Sequence, residues 1–116
     1  MRRGDLYLAD LHPTRPGGAE PLGPVVIVSA DSLNRTVERL GTGAVTVVPV
    51  SSKVSRVYDF QVLLSASDTG LGQDCKAQAE QLRTIRFEQL GQAPIGRLTA
   101  TQVRQLDAAL RLHLSL

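Results

Sequence analysis

The chain has 116 residues, 42% of them hydrophobic, and 13 basic against 11 acidic side chains give a net charge of +2. That length fits one domain, residues 1–116, and the apolar share suffices for a core. So small a charge excludes any argument for nucleic-acid binding from net electrostatics.

Asp5 to Leu11 has apolar residues at both alternating positions and reads as a strand buried on both sides. His12 to Pro24 gathers four of the 6 prolines and three glycines, so it reads as a surface loop of the kind that carries binding or catalysis; a passive connector is the plain alternative. Val25 to Ala30 is a β-branched strand. Asp31 is placed to cap a helix over Ser32 to Arg39, which Gly41 and Gly43 end. Ala44 to Val50 is a further strand, in which Pro49 removes a ladder donor and so points to an edge or a bulge. Ser51 to Tyr58 is a polar, basic loop, Phe60 to Ala66 a strand, and Asp68 to Gly72 turn chemistry. Lys76 to Arg86 reads as two short strands around Glu80-Gln81. Pro94 to Leu98 leads into an amphipathic helix, with Thr99 and Gln102 as a capping box and Val103, Leu106, Leu110 and Leu114 on the core side. Five or six short strands and a closing helix imply a mostly β, α+β domain with a small curved sheet or barrel.

Lys53 and Lys76 are the only lysines; the other basic residues are arginines, whose planar fork suits phosphates and base edges, although GC-rich coding explains the bias as well. The aromatic side chains are Tyr7, Tyr58, Phe60 and Phe87, too few for an extended base-stacking platform. Cys75 stands alone, which rules out an intrachain disulfide, and neither His12 nor His113 sits in a metal-ligand spacing, so no metal or cofactor is expected. No apolar run approaches the roughly 20 residues that span a bilayer, and Met1 to Asp5 lacks the apolar stretch of a signal peptide. The expectation is a cytoplasmic protein with no membrane partner.

Five stretches, in this order, resemble the MazF/PemK (Kid) toxins. They are Arg3-Gly4-Asp5-Leu6-Tyr7 with Asp10-Leu11 and Pro13-Thr14; Pro24-Val25-Val26-Ile27-Val28-Ser29; Val47-Val48-Pro49-Val50-Ser51-Ser52; Glu80-Gln81-Leu82-Arg83-Thr84-Ile85; and Ile95-Gly96-Arg97-Leu98 with the closing helix. The resemblance covers the whole chain. It implies a small SH3-like β-barrel of the CcdB/MazF/Kid type with a C-terminal helix, a symmetric homodimer, and a MazE-like antitoxin whose tail occupies the RNA groove. Operator DNA is then a partner only through the antitoxin complex. It also implies metal-independent cleavage of single-stranded RNA, in which the ribose 2′-hydroxyl attacks the adjacent phosphorus to leave a 2′,3′-cyclic phosphate and a 5′-hydroxyl.

That chemistry needs a proton acceptor, a proton donor and positive charge near the phosphorane. In the family an arginine directly before the second-strand proline does much of this work, and a threonine at the end of the third strand helps hold the phosphate. The threonine position is Ser51 here. The arginine position is Gly23, which supplies neither charge nor donor, and losing one such group costs on the order of 10²–10³ in rate. The expectation is a poor ribonuclease, either disarmed at Gly23 or relying on Arg15 or an arginine from another loop. Gly17 and Gly18 replace a His-Glu pair of Kid-like members, so no loop histidine serves as base. Arg15, Gly17, Gly18 and Glu20 on the first loop, and Ser52, Lys53 and Arg56 on the second, are the expected RNA contacts, with Gln78, Glu80, Gln81 and Arg83. Glu80 either reads a base edge or pairs with Arg83, and Arg83 holds either a dimer contact or a phosphate. Two other classes compete: a non-catalytic toxin-fold module that binds an antitoxin and co-represses their operon, and a gyrase poison of the CcdB type. The second relies on C-terminal residues including a tryptophan, whereas this chain has none and ends His113-Leu114-Ser115-Leu116.

Overall fold

The computed structural model describes residues 1–11 and 22–116. Most of the loop read from His12 to Pro24 therefore lies outside the described residues. Its last two residues already belong to a strand, because Gly23 pairs with Ala9 and Pro24 with Leu8.

Seven strands appear among the described residues: β1 (Asp5–Ala9), β2 (Gly23–Ile27), β3 (Ala44–Ser51), β4 (Gln61–Leu64), β5 (Cys75–Gln78), β6 (Arg83–Arg86) and β7 (Gly96–Arg97). Three helices accompany them: α1 (Asp31–Leu40), α2 (Ala66–Thr69) and α3 (Ala100–Leu114). All pairings are antiparallel, in the order β4-β5-β3-β2-β1-β7, with β6 also on β3. The sheet curls into a half-barrel because β3 serves two neighbours on one flank: Ala44 to Val47 pair with β6, Val50 and Ser51 with β5.

Pro49 lies in the gap between those partners, so the expected edge or bulge takes the form of a change of partner. Val28 N–H donates to Thr46 O at 3.0 Å, which fixes the even-numbered residues of β3 as those bonded to β2. The donor that Pro49 lacks therefore faces the side where β6 has ended and β5 has not begun.

Strands that read as apolar on both faces are buried on both. On the inner face Leu6, Val26, Val48, Val50, Leu64 and Ala77 pack against Leu106 and Ala109 of α3. On the outer face Tyr7, Val25, Ile27, Val45, Val47 and Ile85 pack beneath Val37 of α1. Each fully buried Val, Leu or Ile contributes roughly 1.5–3 kcal/mol.

The capping box at α3 forms as read: Gln102 N–H donates to Thr99 Oγ1 at 3.1 Å and Thr99 N–H to Gln102 Oε1 at 2.9 Å. Val103 and Leu110 pack on the core beside the buried Leu106, but Leu114 is 46% exposed, because the helix runs past the sheet that covers its earlier turns. Asp31 does not cap α1. Ala30 holds the N-cap position, and the Asp31 carboxylate accepts from Arg3 N–H at 2.7 Å instead, which ties β1's approach to the helix start. That bond holds the Asp31 carboxyl below the usual range. The stretch read as a turn over Asp68 to Gly72 begins inside α2, which takes in Asp68 and Thr69 and is closed by Gly70 at φ +74°.

Asn34, fully buried on α1, donates to Ser29 O at 2.9 Å and accepts from Ser29 Oγ at 2.6 Å. Asn34→Ala removes both bonds between Asn34 and Ser29, leaving Ser29 only its bonds to Thr46, and is expected to cost roughly 1–3 kcal/mol. Urea unfolding reads this as a lower midpoint at unchanged slope.

Candidate active site

The strand register relates the start of β2 to the end of β3, where the two expected site positions lie. Val25 with Pro49 is the last pair of the β2–β3 ladder, and continuing that register by two residues brings Gly23 level with Ser51. Gly23 also pairs with Ala9, Ser51 with Lys76, and Lys76 with Leu63. Ala9, Gly23, Ser51, Lys76 and Leu63 thus form one row across five strands, and directly paired residues project to the same face. That face is the outer one, shared with Val25 and Val47. Arg83 pairs with Val47 and Gln78 with Gln61, which places both on this face as well.

Gly23 has no left-handed φ, and a Cβ there would meet only Leu11 Cδ1, at 3.6 Å. The fold therefore does not require glycine at this position. Ser51 Oγ accepts from Lys53 N–H at 3.2 Å, which turns the chain into the exposed loop that carries Ser52, Lys53 and Arg56. On that loop Arg56 Nη1 donates to Tyr58 Oη at 3.3 Å, and its guanidinium lies 5.8 Å from the ring centroid. Tyr58 stacks on Phe60 at 5.2 Å with the planes 4° apart. Half of the chain's aromatics thus stiffen this one loop.

Glu80 and Arg83 do not pair. Glu80 Oε2 accepts from Gln61 Nε2 at 2.6 Å, while Oε1 is buried without a hydrogen-bond partner among the described residues. Arg83 Nη2 donates instead to Leu11 O at 3.3 Å, beside the place where a side chain at position 23 would sit. The cause is geometric: Glu80 lies in a 3-10 turn, Ala79–Gln81, that faces β4, and Arg83 has already entered β6. Gln81 is exposed on the same turn. Arg15, Gly17, Gly18 and Glu20 lie outside the described residues.

Sequence reasoning missed Lys76. It sits beside Ser51, only 8% exposed, with Nζ donating to Arg56 O at 2.8 Å. One lysine in a short strand reads as a solvated charge, and only the β3–β5 register reveals its neighbour. Also missed is a cavity of about 430 Å³ on the opposite, inner face, lined by Leu8, Pro24, Val50, Ser52, Leu71 and Cys75 among others. Burial, with Asp74 nearby, raises the Cys75 thiol above its ordinary value. Cys75 is expected to react with a disulfide reagent at least about tenfold more slowly in the folded chain than in urea. Among the described residues no three His, Cys, Asp or Glu side chains are grouped to hold a metal ion, and no helix is long and apolar enough to cross a membrane.

A curled antiparallel half-barrel closed by a C-terminal helix is the architecture of the small toxin barrels. A solved endoribonuclease in complex with its cognate antitoxin, from a mycobacterial species, superposes with a TM-score of 0.77 at 25% identity, covering all of this chain and 96% of the other. MazF from Deinococcus radiodurans gives 0.75 over 100% and 97% of the two chains, a likeness of fold alone at 19% identity. The family model of PemK-like, MazF-like toxins of type II toxin-antitoxin systems matches residues 2–114. Endoribonuclease MazF9 of Mycobacterium tuberculosis is 55% identical over 116 residues, all of this chain and 98% of that protein. The chain belongs to the PemK/MazF toxin family.

Proposed function

We propose that the chain, as one toxin domain over residues 1–116, is an endoribonuclease of a toxin–antitoxin module that cuts single-stranded RNA without a metal, at a rate lowered by Gly23. What supports this is the β2–β3 register, which when continued past Val25–Pro49 brings Gly23 level with Ser51, in a chain 55% identical to a protein named an endoribonuclease. In the reaction the ribose 2′-oxygen bonds to phosphorus and the P–O5′ bond breaks. The net proton transfer is from the 2′-hydroxyl to the departing 5′-oxygen. Ser51 donates its hydroxyl to a non-bridging phosphate oxygen. Lys53, Arg56 and Arg83 contact neighbouring phosphates, Gln78, Glu80 and Gln81 read base edges, and Arg15, Gly17, Gly18 and Glu20 complete the strand's track, whereas Ser52, expected as a contact, lines the inner cavity. The protein works in the cytoplasm as a homodimer, and a MazE-like antitoxin covers the same track.

Gly23 itself favours a second reading, a non-catalytic module that binds its antitoxin and represses their operon through the complex. End-group analysis of a labelled single-stranded RNA separates the two. Fragments ending in 2′,3′-cyclic phosphate and 5′-hydroxyl support the ribonuclease. Intact RNA with both the parent chain and Gly23→Arg supports the binding module.

A further inference from the structure

Lys76 is a buried cation with no carboxylate partner among the described residues. It is 8% exposed, none of its nitrogen–oxygen contacts within 4.0 Å is to an acidic group among the described residues, and its one hydrogen-bond acceptor there is Arg56 O at 2.8 Å. Buried charges are ordinarily paired, because an ammonium removed from water is costly unless an anion replaces the water. An ammonium has three donors, and among the described residues one is used.

The site of this cation is specific. Lys76 is the direct cross-strand partner of Ser51 and shares its face, with Cβ atoms about 4.5–5.5 Å apart for such a pair. One strand beyond Ser51 in the same row lies Gly23, where no charge is available. Its acceptor, Arg56 O, belongs to the loop that leaves Ser51, so the ammonium is tied to the segment that follows Ser51 in the chain.

Resting on the ribonuclease reading, we propose that Lys76 supplies the positive charge that stabilises the phosphorane at Ser51, in place of the side chain absent at Gly23. Its ligand is the scissile phosphodiester of an RNA strand. Lys76 neutralises charge on a non-bridging oxygen and transfers no proton.

The test is a cycle of four proteins: the parent chain, Lys76→Met, Gly23→Arg and the double variant. Methionine keeps the buried stem and removes the charge. Expected is a fall in parent cleavage of at least about tenfold on Lys76→Met, with RNA affinity changed less than about threefold. Lys76→Arg restores most of the rate. In the Gly23→Arg background the same Lys76→Met change costs less than about threefold, because the arginine then carries the charge. Equal losses in both backgrounds show a merely structural lysine and overturn the proposal, as does an unchanged rate. A parent chain that cuts nothing while Gly23→Arg cuts also overturns it, yet leaves the ribonuclease reading standing. If neither cuts, that reading falls and this proposal with it. Should Lys76→Met fail to fold, the parent chain still decides: the Lys76 Nζ resonance shifts on adding a 2′-O-methyl oligoribonucleotide, and a resonance left in place contradicts the proposal.

Discussion

Gly23→Arg is expected to raise cleavage of single-stranded RNA by at least about 100-fold, the size of effect produced by one well-placed electrostatic group. The backbone accepts the change. Position 23 has no left-handed φ, and its Cβ would make an ordinary 3.6 Å contact with Leu11 Cδ1. The new side chain leaves β2 on the outer face, in the row that holds Ser51 and Lys76. A guanidinium there brings a fixed fork of donors to the phosphate where glycine brings none. Comparing initial rates on a fluorogenic RNA, with thermal melts as a control for folding, checks this. A folded variant that cuts no faster than the parent would show that the row does not contain the reacting phosphate.

The second large effect concerns stability, and glycine is again the residue. At Gly96 a Cβ would lie 2.5 Å from Thr69 O and 3.3 Å from Leu6 Cδ1. The first is backbone and cannot rotate away. β7 is held where it is by Ile95 N–H to Leu6 O at 2.7 Å and Leu98 N–H to Gly4 O at 2.9 Å, so relief requires β7 to leave β1 or α2 to shift. Gly96→Ala is expected to cost about 3 kcal/mol, a fall in Tm on the order of 10–20 °C. Gly23→Ala, with its ordinary contact, is the control and stays within about 1 kcal/mol of the parent. A calorimetric scan in which the two variants melt together contradicts this packing.

These two glycines show how far the sequence could be read. Gly96 fell inside a recognisable stretch and Gly23 directly before one, yet only the structure separates the one that packing requires from the one it merely tolerates. Where a signal is local it was legible: the β-branched runs of β2 and β3 form strands, and Thr99 with Gln102 caps α3. Where it depends on a distant partner it was not. Asp31 has the composition of a cap, but its carboxylate is claimed by the backbone N–H of Arg3, 28 residues earlier in the chain. Pro49 argued for an edge in a strand that is central, because nothing local reveals that β3 changes neighbours there. β7, two residues long, carries no period to detect.

The candidate site follows the same division. Ser51 and Gly23 were singled out from motif order, and continuing the β2–β3 register brings the two level with each other. Lys76 was not, since its meaning lies wholly in its pairing with Ser51. Nor was the distinction between faces. Pro24 and Ser52 line the inner cavity, whereas their chain neighbours Gly23 and Ser51 project outward, as alternation along a strand demands.

That division makes the central claim testable. Photo-crosslinking of a 2′-O-methyl RNA carrying 4-thiouridine, with the attachment sites mapped by mass spectrometry, reports which face the strand occupies. Crosslinks on the peptide from Ser51 to Tyr58 and around Arg83 are the predicted result. Crosslinks confined to Leu71, Gln73 and Ile95 around the inner cavity would contradict it.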